Sequence, residues 1–64
     1  MADFYRDVIR LLKENEYEFK RSGRGDHEIW WNPRTKAFVV VDRKLKSKIT
    51  ANEILKQAGL TKAF

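Results

Sequence analysis

Between positions 17 and 41 the chain holds three extended-looking segments, and the links between them are too short to let any pair run parallel. Ser22-Gly23-Arg24-Gly25 is one link and Asn32-Pro33-Arg34-Thr35-Lys36 is the other. A parallel pair needs a crossover of a dozen or more residues, whereas a tight turn joins antiparallel neighbours. Residues 17–21, 26–31 and 37–41 are therefore expected to form an antiparallel meander. Glycine takes positive φ without steric cost, which suits the first turn, and Pro33 pins the second open. The first segment alternates as a half-buried strand does. The third is β-branched and almost wholly apolar, as expected of a strand that is central or covered on one side.

Such a sheet needs cover on one face, and the flanking segments supply it. Over residues 3–15, Phe4, Val8, Leu11 and Leu12 recur at helical spacing and Tyr5 and Ile9 widen the stripe. Asp3–Arg6 and Asp7–Arg10 are spaced for weak pairs, Asp3 is placed as an N-cap, and Asn15 suits the left-handed position that closes a helix. Further on, Thr50 and Glu53 have the spacing of a capping box, with Ile49 and Ile54 placed as its hydrophobic staple. Ala51, Ile54, Leu55 and Ala58 form a buried stripe, and Gly59 fits a Schellman cap that folds Leu60 back on Leu55. Residues 61–64 read as a loose tail from which Phe64 can tuck onto the core. The expected architecture is a single α+β domain over residues 1–64, ordered α-β-β-β-α. Two helices lie on one face of a three-stranded antiparallel sheet, and the other face stays open.

Composition narrows the function. The 64 residues contain no cysteine and one histidine, so neither a disulfide framework nor a thiolate metal site is expected. No apolar run approaches the roughly 18 residues of a membrane span, and the reading is a cytoplasmic protein without a cofactor or a metal. The net charge of +5 is unevenly placed: residues 1–19 carry three basic and five acidic side chains, residues 20–48 nine basic and three acidic. A basic centre built around a glycine turn and aromatic strands points to a polyanion, most simply a nucleic acid. A solvated basic surface that aids solubility is the plainer alternative.

The stretch Gly23-Arg24-Gly25-Asp26-His27-Glu28-Ile29-Trp30-Trp31 gathers two of the three glycines, the histidine and both tryptophans. Imidazole is the side chain whose ordinary titration range suits proton transfer near neutral pH. Lone histidines are commonplace, however, and taken alone His27 is more often a surface residue without chemistry. Neighbours in a strand face opposite ways, so one tryptophan packs in the core and the other is free to stack on a base. A regular strand places His27 on the face of Trp31, and a bulge at Asp26 would reverse that. Arg43, Lys44, Lys46 and Lys48 lead into the second helix, either as a solvated linker or as a phosphate clamp.

These residues resemble a family. Leu11-Leu12-Lys13-Glu14-Asn15, then Gly25-Asp26-His27-Glu28-Ile29-Trp30, then Ile54-Leu55-Lys56-Gln57-Ala58-Gly59-Leu60 look like the HicA (YcfA-like) toxins over about residues 5–60. The resemblance implies a double-stranded-RNA-binding-domain-like fold, cleavage of mRNA through one histidine, and neutralisation by a HicB antitoxin. By position the catalytic histidine is His27, and Trp30 takes the aromatic place three residues later. Asp26 stands where the family often has serine, and a carboxylate there would repel phosphate unless it points to the opposite face.

RNA can be cut without a metal because its own 2′-OH lies beside the scissile phosphate. The protein must remove that proton, stabilise charge on the phosphorus and help the 5′-oxygen leave. His27 is the candidate base. Lys20, Arg21, Arg24 and the amides of the Gly23–Gly25 turn, Gly25 among them, are candidates for the charge, with Trp31 as the stacking neighbour. The sequence assigns no acid for the leaving group. The reading is thus a metal-independent endoribonuclease toxin acting on mRNA, with a HicB-like antitoxin covering its active site. A non-catalytic RNA-binding module of the same fold and a small protein-interaction domain are the alternatives.

Overall fold

The hydrophobic stripes of the two flanking segments meet over one face of the meander, and that junction is the core. The computed structural model describes residues 4–61 and 64. The order is α1 (Phe4–Glu14), β1 (Glu18–Ser22), β2 (His27–Trp31), β3 (Phe38–Asp42) and α2 (Lys48–Gln57). It is the expected α-β-β-β-α order, a small α+β fold with an open three-stranded sheet. The proposed N-cap Asp3, its pairing with Arg6, and tail residues 62 and 63 lie outside the described residues.

Helix α1 buries Val8, Ile9 and Leu12, with Phe4, Tyr5 and Leu11 packed at the margin. Asp7 and Arg10 pair at 3.8 Å, as their spacing suggests. The helix closes on Glu16, at φ 70°, and not on Asn15. The Tyr17 amide donates to the Leu12 carbonyl (2.9 Å) and that of Glu16 to Lys13 (3.3 Å), which is a Schellman closure. What selects Glu16 is the next residue: Tyr17 is buried, 5% exposed, and its hydroxyl donates to the Ala58 carbonyl at 3.1 Å. Turning Tyr17 inward requires the left-handed step just before it.

The sheet order is β1-β2-β3. Strand β2 is therefore central and β3 is an edge, covered on one side: Val39 and Val41 are buried, whereas Phe38 and Val40 are exposed. Strand β1 is exposed throughout rather than half-buried. Its inward residue, Tyr17, precedes the strand, and its pairing with β2 slips between Phe19 and Arg21, which breaks the alternation. Asn32, buried between β2 and β3, accepts from the Arg34 (2.9 Å) and Thr35 (3.3 Å) amides through its side-chain oxygen and so shapes the second turn.

Helix α2 starts one turn earlier than a Thr50–Glu53 box would place it. Its N-cap is Ser47, whose hydroxyl accepts from the Thr50 amide. Ile49 is 71% exposed and cannot staple Ile54. The reason lies upstream, where Leu45 is buried and ties residues 43–48 to the core, so this segment is more than a solvated linker. The far end matches expectation: Gly59 has φ 78°, and the Leu60 amide donates to the Leu55 carbonyl at 2.8 Å. Phe64 is held by two hydrogen bonds with the Asn52 side chain, both 3.1 Å, and its ring meets Phe4 edge-on. Val8, Leu12, Val39, Val41 and Leu55 are the largest fully buried side chains, and each contributes about 1.5–3 kcal/mol by leaving water.

Candidate active site

The turn between β1 and β2 is built to present one imidazole. Gly25 sits at φ 64° with open space around a would-be Cβ, so a substitution there meets backbone strain of roughly 1–2 kcal/mol and no clash. The Gly23 amide donates to the His27 carbonyl at 2.7 Å and the His27 amide to the Arg24 carbonyl at 3.3 Å. Since the Gly23 amide is engaged in this way, it cannot join the anion nest expected of the turn. Nδ1 of His27 lies 3.0 Å from the same Arg24 carbonyl. A carbonyl oxygen only accepts, so Nδ1 carries the hydrogen and Nε2 of the neutral ring holds the lone pair.

Nε2 points towards the register partner of His27 on β3. Asp42 stands opposite His27, with its Oδ2 4.0 Å from Nε2 and both side chains about half exposed. That distance is too long for a hydrogen bond, but it becomes a favourable charge contact once the ring is protonated. The other carboxylate oxygen of Asp42 accepts from the Lys44 amide at 2.8 Å, which orients the group.

Asp26 does not stand as an isolated charge beside the histidine. Arg43 (3.1 Å) and Lys44 (3.2 Å) both pair with its carboxylate, and the Arg43 amide donates to its carbonyl at 2.9 Å. Hydrogen bonding from Lys44 first, then from Arg43, holds the Asp26 carboxyl below the usual carboxylate range. Two cations thus offset the charge of this carboxylate. By the same pairing, Arg43 and Lys44 are less available as a phosphate clamp.

The register separates the tryptophans. Trp30 is 5% exposed on the helix side, where its indole N–H donates to Glu28 Oε1 at 3.1 Å and the Tyr5 hydroxyl donates to the same oxygen at 2.6 Å. Trp31 lies on the open face with His27, because β2 and β3 pair without a slip and the irregularity falls in β1 rather than at Asp26. The Lys20 ammonium sits 4.0 Å from the centre of the Trp31 ring and that of Lys36 5.2 Å. Arg21, opposite Ile29, lines the same shallow groove as Lys20 and Trp31.

The structure therefore spreads the sequence candidates over four places. Arg24 and Gly25 lie in the turn with His27. Lys20, Arg21 and Trp31 lie further along the same face. Arg43 and Lys44 gather on Asp26, while Lys46 and Lys48 are exposed on the approach to α2 and its first residue, with no contact joining them to His27 among the described residues. Sequence reasoning missed Asp42 and Lys36. Six residues, 32–37, separate the paired Trp31 and Phe38, and that register brings His27 opposite Asp42; the five-residue turn read from the sequence would have set Val41 there instead. A roomier hollow of about 540 Å³ is bordered by Glu14 and by Glu16, which pairs with Arg34 at 2.7 Å, so its rim offers a polyanion no unpaired cation. No helix among the described residues is long and apolar enough to cross a membrane.

Comparison with known proteins assigns the chain to a family. A family model described as the HicA toxin of bacterial toxin-antitoxin systems matches residues 5–60, a span that includes the turn, all three strands and α2. No curated protein and no solved structure matches. With that span covered, the chain belongs to the HicA toxin family, a toxin whose counterpart is an antitoxin.

Proposed function

We propose that this toxin is a metal-independent endoribonuclease that cuts mRNA in the cytoplasm, with His27 as its general base. The observation that supports this best is the bond between Nδ1 of His27 and the Arg24 carbonyl, which leaves the Nε2 lone pair on the exposed side of the ring. Nε2 takes the proton from the RNA 2′-OH, the 2′-oxygen attacks the adjacent phosphorus, and the 5′-oxygen departs and takes a proton from water. Asp42 stabilises the imidazolium that results. Arg24, exposed in the same turn, would offset charge gathering on the phosphate. The products are a 2′,3′-cyclic phosphate and a 5′-OH.

Membership of a toxin–antitoxin family implies a neutralising partner, and the partner we propose is a HicB-like antitoxin that covers His27. Carboxylates on its surface would match Arg24, Arg43, Lys44 and Lys46, speeding encounter and setting register.

The test is His27→Ala, assayed for RNA cleavage in EDTA and for thermal melting on one preparation. Loss of a positioned base costs about 10²–10⁴-fold in rate, while the fold loses only the exposed contact to Arg24, on the order of 1 kcal/mol. Cleavage at the wild-type rate removes His27 from the mechanism. A non-catalytic RNA-binding module would show no cleavage in either protein.

A further inference from the structure

We infer that the open sheet face is a platform for unpaired RNA, with bases lying on Ile29, Trp31, Phe38 and Val40 and phosphates held by Lys20, Arg21 and Lys36. This rests on the ribonuclease reading and narrows its substrate to single strands. Phe38 is 59% exposed and Val40 49%, on the face opposite the buried Val39 and Val41. Together with Ile29 and Trp31 they floor a groove of about 430 Å³. A contiguous apolar surface of this kind, rimmed by polar groups, marks a binding site.

The rim says what binds. Lys20, Arg21 and Lys36 all border the groove, and none has a carboxylate partner among the described residues. In a regular strand Lys20 and Arg21 would face opposite ways. The slip between Phe19 and Arg21 removes that alternation, so two successive cations serve one face. An apolar floor with unpaired cations at its edge is complementary to stacked bases joined by phosphates. It does not suit a duplex, which hides its bases and shows sugars and phosphates.

The geometry also links platform to chemistry. His27 and Trp31 lie on the same face of β2, four residues apart, hence about 13 Å at roughly 3.3 Å per residue. That spans on the order of four stacked nucleotides at ~3.4 Å each. Bases beyond the scissile bond would thus be read over Ile29 and Trp31, and cleavage preference would be set there.

Anisotropy of a labelled single-stranded decamer made wholly of 2′-O-methyl RNA, checked for intactness on a gel, measures binding apart from cutting. Trp31→Leu and Phe38→Ser should each weaken it about tenfold or more. Lys20→Gln and Lys36→Gln should weaken it and flatten the salt dependence by about one ion each. A duplex of the same sequence should bind worse than the single strand. Melting of each variant separates lost binding from lost folding, and the surface lysine variants stand in should Trp31→Leu unfold. Equal binding of single strand and duplex, or wild-type affinity in the folded apolar variants, overturns the platform. So does a result in which those variants keep RNA and lose only a HicB-like antitoxin. If the wild type binds as described but never cuts unmodified RNA, the nuclease reading falls and the platform stands.

Discussion

Trp30 and Trp31 are neighbours on one strand, yet they belong to different parts of the molecule. Trp30 is sealed under α1, with its indole N–H satisfied by Glu28 and its ring edge-on to Phe19. Trp31 faces outward beneath two lysine ammoniums, on the face shared by His27, Asp42 and the exposed Phe38 and Val40. The helix-covered face of the sheet supplies stability. The bare face keeps apolar groups and cations in water at some cost in stability and solubility, and it is there that function is expected. A three-stranded sheet of five-residue strands has room for both only because side chains alternate.

The strongest way to break this comparison is to truncate both tryptophans in turn. Trp30→Ala should cost about 3–5 kcal/mol, a large part of the stability of a domain this size. Trp31→Ala should cost about 1 kcal/mol. Urea denaturation of the two variants decides it, and equal losses would mean that the bare face is structural after all.

Asp42→Asn sharpens the comparison within the bare face. It removes the charge 4.0 Å from His27 Nε2 and should lower kcat roughly fivefold to tenfold. KM should not rise, because a negative charge near the phosphate has gone. A higher KM with unchanged kcat would make Asp42 a binding residue instead.

Asp26→Asn should have the smallest effect on stability, since the ion pairs it breaks are exposed. Because Asp26 titrates below the usual range in the fold, its contribution is complete above the ordinary carboxylate value of about 3.9 and is lost as pH falls through the lower folded value. Melting curves of wild type and variant should therefore differ slightly at pH 6 and converge in strong acid. At pH 7 and low salt the variant should bind RNA more tightly, with Arg43 and Lys44 released. Unchanged affinity would show that these two cations lie off the RNA path.

Much of this was legible in the chain. Periodicity and link length gave both helices, the meander and the face on which His27 lies, because local patterning and tertiary packing agree there. Three features were not legible. Glu16, not Asn15, closes α1 because Tyr17 must turn inward, and Ser47, not Thr50, caps α2 because Leu45 is anchored; both are tertiary demands overriding local preference. The slip at Lys20 leaves no mark in residue types, since either side of it reads as alternating strand. At the site, the histidine and the cations could be named from sequence. The Asp26–Arg43–Lys44 cluster could not, because, like the approach of Asp42 to His27, it depends on a register that the turn length read from the sequence sets one residue off.

If His27 draws the proton from the 2′-OH of RNA, a bond whose 2′-oxygen carries no proton cannot be cut in this way. The direct measurement is cleavage, in EDTA, of an RNA whose mapped cut site carries a single 2′-O-methyl group. This bond should resist while the unmodified RNA is cut to a 2′,3′-cyclic phosphate and a 5′-OH. Cleavage of the methylated bond would contradict this mechanism.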